Sequence, residues 1–100
     1  QSLGGEDLEA IISDYAEDAI LIVNNGIFRG RDGVRQVFTQ LLSDVPQAQW
    51  ELQTVFADNV LYLEWVARST ERAIEDGVDT FIFEDGLITV QTVRYTVTPA

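Results

Sequence analysis

Residues 77–88 read Gly77-Val78-Asp79-Thr80-Phe81-Ile82-Phe83-Glu84-Asp85-Gly86-Leu87-Ile88. β-branched and aromatic residues flank the triplet Glu84-Asp85-Gly86, a pattern that predicts two antiparallel strands joined by a tight turn. The first strand spans Gly77 to Phe83 and the second Leu87 to Thr98. Strand side chains alternate, so Asp79, Phe81 and Phe83 share one face while Val78, Thr80 and Ile82 share the other. A carboxylate is thereby placed among aromatic rings.

Upstream of this hairpin, Gln49 to Ala57 alternates, with Trp50, Leu52, Thr54 and Phe56 on one side. Asp58-Asn59 turns the chain, Val60 to Thr70 is a second strand, and Glu71 to Asp76 is a polar connection. The four strands make an antiparallel meander. In Val60 to Arg68, one face carries Leu61, Leu63, Trp65 and Ala67, and the other Tyr62, Glu64, Val66 and Arg68. A sheet with one buried face shows a polar opposite face. Here both faces are rich in apolar residues, which predicts cover on both: helices on one, a second copy of the chain on the other.

The first half supplies the helices. Leu8, Ile11, Ile12 and Tyr15 form an i, i+3, i+4, i+7 stripe, predicting a helix over Asp7 to Ala16, with Glu6 and Asp7 favourable at its N-terminal end. Ala19 to Val23 is a short strand, Asn24-Asn25-Gly26 a hairpin turn, and Ile27-Phe28-Arg29 the returning strand. After the break at Gly30-Arg31-Asp32-Gly33, Asp32 is the expected N-cap of a second helix. Its apolar face is Val34, Val37, Phe38, Leu41 and Leu42, and Pro46 ends it. The class is α+β, a single domain over residues 1–100.

Composition narrows the chemistry. The chain has no Cys, no His and no Lys, and its six basic residues are all Arg. Thiolate and Schiff-base chemistry are excluded, and the commonest general base and metal ligand is missing. No metal site or cofactor is expected. The net charge of −11 repels phosphate backbones and anionic lipid, so neither nucleic acid nor a membrane surface is an expected partner. No apolar run approaches the ~20 residues that span a bilayer. The opening Gln1-Ser2-Leu3-Gly4-Gly5 lacks a leader signature, and a cytoplasmic location is expected.

Three motifs, in order, carry a family resemblance. Asp7-Leu8-Glu9-Ala10-Ile11 through Tyr15-Ala16-Glu17-Asp18-Ala19 resembles the opening of SnoaL-like, NTF2-like domains. Gly30-Arg31-Asp32-Gly33-Val34 resembles the start of their following helix, and residues 77–88 resemble their hairpin. The resemblance runs from Asp7 to Val97. It implies a cone: a curved antiparallel sheet wrapped around helices, enclosing a pocket. The family's first helix is usually longer, and only Gln1 to Glu6 precede the motif here, so that helix is expected to be short or missing.

Against ketosteroid isomerase, a similar domain with an Asp base and an oxyanion hole of a Tyr and a protonated Asp, the resemblance puts Asp79 at the oxyanion-hole acid and Val23 at the base. Val23 takes no proton, and the Tyr would fall in the shortened helix, so steroid isomerisation by that route is not expected. The Asp-Arg-Asp set of limonene epoxide hydrolase is incomplete as well, with Thr92 and Val93 at its second acid. Scytalone dehydratase relies on His, which is absent.

Asp79 is the leading catalytic candidate, since desolvation among aromatics raises a carboxyl pKa. The alternative is an ion pair with Arg68. Glu64 is the second candidate if its face, with Tyr62 and Val66, turns inward; in the other register it meets solvent. Tyr15, Val23, Tyr62, Val66, Arg68, Phe81, Val93 and Tyr95 are the expected pocket lining. Two functions remain open: binding a small apolar molecule in the cone, with isomerase, cyclase or hydrolase chemistry as an extension, or a non-enzymatic module that dimerises through the sheet face.

Overall fold

A computed structural model describes residues 8–24 and 26–100. The elements are α1 (Leu8–Ile12), β1 (Tyr15–Val23), β2 (Gly26–Arg29), α2 (Gly30–Asp44), β3 (Gln49–Ala57), β4 (Val60–Arg68), β5 (Arg72–Glu84), β6 (Leu87–Arg94) and β7 (Thr98–Pro99). The sheet order is β2-β1-β6-β5-β4-β3, with β7 paired to the start of β5. Among the described residues only the β1–β6 pairing is parallel. This is the expected α+β architecture, a curved sheet wrapped around helices with a first helix of five residues.

The meander forms as its sequence predicts. Glu84 pairs with Leu87 across Asp85 and Gly86, whose φ values of 53° and 81° are those of a two-residue hairpin turn that suits right-twisted strands. Ala57 pairs with Val60 across Asp58-Asn59. The Asn59 amide donates to the Phe83 carbonyl at 3.0 Å, and the Phe83 N–H donates to the Asn59 carbonyl at 3.0 Å, locking this turn to β5.

Register decides which face is inside. Leu61, Leu63 and Trp65 stand opposite Phe81, Asp79 and Gly77, and all point to the concave side. Leu63, Trp65 and Phe81 belong there to one core cluster with α2, whose Val34 and Leu41 are buried and whose Val37 and Phe38 pack against it. The Phe38 ring meets Tyr15 edge-on at 6.4 Å. Leu42 is half-buried and outside that cluster.

Four expectations are corrected. The first helix stops at Ile12, not Ala16, and β1 begins at Tyr15, not Ala19. The Ile88 N–H donates to the Asp14 carbonyl at 2.9 Å, so pairing with β6 captures the chain before the helical stripe is complete. Tyr15 reaches the core from a strand instead.

Asp32 is not the N-cap of α2: the helix begins at Gly30 after an extended Arg29, and Asp32 lies in its first turn, held by Arg35 at 2.7 Å. Residues 72–76 are strand rather than connection, because Ala73 and Ile74 are buried against Arg68 and Ala67. That moves the turn to Ser69–Glu71, and a bulge between Trp65 and Ala67 then sets Asp79 opposite Leu63. Val66, the expected partner, is excluded. The last strand ends at Arg94, and Thr98–Pro99 forms a separate short one. The readings placed on residues 1–7 and on Asn25 lie outside the described residues.

Candidate functional site

One side chain from each of four neighbouring strands joins a buried hydrogen-bonded chain. Asp79 on β5 is 5% exposed. Its Oδ1 accepts from the Trp65 indole N–H on β4 at 2.6 Å, and its Oδ2 accepts from the Gln91 amide on β6 at 2.6 Å. The Gln91 Oε1 in turn accepts from the Tyr15 hydroxyl on β1. Each of these contacts is a diagonal or neighbouring one on the concave face, within reach of long side chains.

Polarity runs one way along the chain. Tyr15 donates, Gln91 accepts and donates, and Asp79 only accepts. That direction fits an ionised carboxylate. Burial works against it and pushes the Asp79 carboxyl up to about 6, while the bonds from Trp65 and Gln91 pull it down. Burial, with the charges of Asp79 and Asp14, also raises the Tyr15 hydroxyl well above the usual phenol range, so it remains a donor. Among the described residues no buried side-chain nitrogen or oxygen lacks a partner.

Packing holds Trp65 in place. Its ring lies 5.5 Å from Trp50 and 5.6 Å from Tyr95. Gly77, opposite on β5, makes room: a Cβ there would stand 2.2 Å from the indole. Tyr95 then reaches outward to the principal cavity, a groove of about 1240 Å³ between α2 and the ends of β1 and β6. Val23, Phe28, Val37, Tyr95 and Val97 supply its apolar wall, and Gln36, Gln40 and Asp44 of α2 its polar rim. Tyr95 stands between this groove and Trp65, the indole that binds Asp79. Its hydroxyl pKa is raised by burial and by the charges of Asp44 and Asp79.

The residues expected at the site divide. Tyr15, Asp79, Phe81 and Val93 share the concave interior, and Val23 and Tyr95 reach the groove. Asp79 does not line the groove itself. Glu64 does not accompany Asp79: it is exposed on the convex face, where its carboxylate accepts from the Tyr62 hydroxyl at 2.7 Å. Val66 shares that face. Arg68 is exposed, 3.7 Å from Glu51 and from Glu75, so it is not the Asp79 counter-ion. A bulge in the β4–β5 pairing, between Trp65 and Ala67, accounts for the faces: it flips the alternation of β5 against β4, so Asp79 stands with Leu63 and Trp65 and not with Tyr62 and Glu64. Gln91 was missed. It sits two residues before Val93 on the inward side of β6, an amide between Leu21 and Phe81 of the adjacent strands, and such a residue needs a polar partner once buried.

Among the described residues no group of three acidic, His or Cys side chains could hold a metal ion, and no helix is long and apolar enough to cross a membrane.

Residues 1–91 match the family model described as a SnoaL-like domain. No curated protein matches the chain. Solved structures share its fold. An NTF2-like protein of unknown function from Cytophaga hutchinsonii superposes with a TM-score of 0.74 at 16% identity, covering 90% of this chain and 86% of its own. A protein with a ketosteroid isomerase-like fold from Catenulispora acidiphila, solved with trimethylamine, gives 0.71 at 11% identity, covering 94% and 78%. A de novo designed protein with a curved β-sheet gives 0.77 at 18% identity, covering 88% and 70%. With nine-tenths of its length matched by the family model and its curved sheet shared with these structures, the chain belongs to the SnoaL-like family of NTF2-like domains.

Proposed function

We propose that this domain binds a small molecule with a largely apolar body in the groove between α2 and the ends of β1 and β6. The observation that carries the reading is the groove itself, with an apolar wall on the sheet side, a polar rim on α2, and Tyr95 linking it to the buried Asp79 chain. Ligand sites combine apolar lining with a few placed polar groups in this way. The ligand body would lie on Val23, Phe28 and Tyr95, and Gln36 and Gln40 would take its polar substituents. Both oxygens of Asp79 are already engaged, which supports a role in holding Trp65, and through it Tyr95, rather than in proton exchange with a bound molecule.

The test is a thermal-shift panel of steroids, phenols, terpene epoxides, aromatic polyketide fragments and small amines. A ligand at a hundredfold excess over Kd stabilises the native state by about 2.7 kcal/mol, which in a domain this size moves the midpoint by roughly 10 °C. The shift should disappear in Gln40→Trp, which fills the groove from an exposed helix position. A shift that survives this substitution places the ligand elsewhere.

A second reading, a homodimer through the convex face, is favoured by one row of side chains. Ile27, Ile22, Thr92, Thr80, Tyr62 and Val55 stand in register across all six long-path strands. Ile27 is 61% exposed. Uncharged surface of this extent is a common mark of an interface. Thr92→Lys at its centre should turn such a dimer into a monomer in sedimentation experiments.

A further inference from the structure

The two edges of the sheet are unequal. β2 is four residues long and packs against α2. β3 is nine residues long, lies at the opposite end of the sheet, and pairs with β4 through all nine residues without a bulge. Among the described residues no other strand pairs with β3. It contains no Pro, no Lys and one charge, Glu51. Leu52, Val55 and Phe56 are 55%, 63% and 62% exposed. Soluble proteins ordinarily blunt a long edge strand with charge, proline, a bulge or a cover, because its outward N–H and C=O groups template pairing with another strand. β3 has no proline and no bulge, and Glu51 is its single charge.

We propose that β3 is an edge-pairing surface for a second copy of this chain, joined antiparallel about a two-fold axis at Gln53. The sequence is self-complementary in that register. Trp50 falls opposite Phe56, Leu52 opposite Thr54, Gln49 opposite Ala57 and Gln53 opposite itself. The concave-facing apolar residues therefore meet one another across the junction. Glu51 falls opposite Val55, so the two copies of the only charged residue never face each other, and each Glu51 lies 3.7 Å from its own Arg68. An isologous pairing of this kind closes on itself, giving a dimer and not a fibre. The surface is distinct from the groove and shares only Val55 with the convex row, and the inference does not rest on either.

Because each copy carries a net charge of −11, the pairing should tighten as salt rises and screens the long-range repulsion. The chain has no cysteine, so introduced thiols report the register cleanly. Under mild oxidation Gln53→Cys should form a disulfide-linked dimer by itself. Leu52→Cys and Thr54→Cys, both on the concave side, should cross-link when mixed and far less when separate. Gln53→Lys, which sets like charges face to face on the axis, should weaken the association roughly tenfold or more in sedimentation experiments. A chain that stays monomeric across a concentration series overturns the proposal, including the case in which β3 serves a strand of another protein. So does a dimer that cross-links through Thr92→Cys on the convex face and not through Gln53→Cys.

Discussion

Trp65 and Asp79 meet at 2.6 Å on the concave face, and they can do so because the residue opposite Trp65 is Gly77. The indole lies flat over the glycine and reaches diagonally to the next inward side chain of β5. Any Cβ at position 77 would occupy the space of the ring.

Gly77→Ala should therefore destabilise the domain by about 1–3 kcal/mol, the usual range for overpacking a core. The indole is pinned between Trp50 and Tyr95 and cannot swing aside without losing its bond to Asp79. Urea denaturation gives the free energy, and tryptophan emission should shift as the ring leaves its buried site. Unchanged stability and emission would mean that the close approach is not present in solution.

Tyr15→Phe removes the only donor to the Gln91 Oε1 among the described residues, inside a residue that is 3% exposed. An orphaned buried acceptor costs about 1–3 kcal/mol. Tyr62→Phe is the control. Its hydroxyl also serves a carboxylate, Glu64, but on the exposed convex face, so the change should leave stability almost unmoved. Equal effects of the two substitutions would contradict the buried chain.

The pH dependence of stability should carry the signature of Asp79. In the native protein the carboxyl holds its proton up to about 6, against an ordinary Asp value of 3.8. Between these values the folded state binds more protons than the unfolded one. The contribution of Asp79 is thus fully present at the acid end and is lost as pH rises through about 6, a loss of roughly 3 kcal/mol. Asp79→Asn has no such titration. The stability of the variant relative to wild type should rise in its favour between about pH 4 and about pH 7. Comparing the pair cancels other groups, such as Asp76, whose carboxyl is held below its usual range by the Thr96 backbone and so acts in the opposite direction. A difference that is flat with pH would show that Asp79 is solvated or stays ionised throughout.

The alternation in residues 49–57, 60–68 and 77–83 was enough to read the meander, and the Asp85-Gly86 turn was legible because only a few residues accept its backbone angles. That Asp79 and Phe81 share a face followed from the same period of two. The faces of Glu64 and Arg68 relative to Asp79 were not decidable, because they depend on where the chain turns after β4 and on the bulge between Trp65 and Ala67. Polar composition at residues 71–76 suggested a loop, yet the two apolar residues Ala73 and Ile74 carry the strand into the core. Tyr15 shows a different failure. Its helical spacing was real, but parallel pairing with β6, a contact between residues 73 apart in sequence, overrode it. Gln91 was invisible for a simpler reason: an amide signals nothing until its buried partners are known.

The most direct test of the groove as the ligand site is a residue-resolved titration. Amide nitrogen–proton spectra of the isotope-labelled domain would be followed while the ligand with the largest thermal shift is added. Binding in the groove predicts that the first and largest changes fall at Val23, Phe28, Val37, Gln40 and Tyr95, with smaller changes relayed to the Trp65 indole N–H through its contact with Tyr95. Changes confined to the convex row of Ile22, Thr80 and Tyr62, or to β3, with Val37 and Tyr95 unmoved, would contradict it.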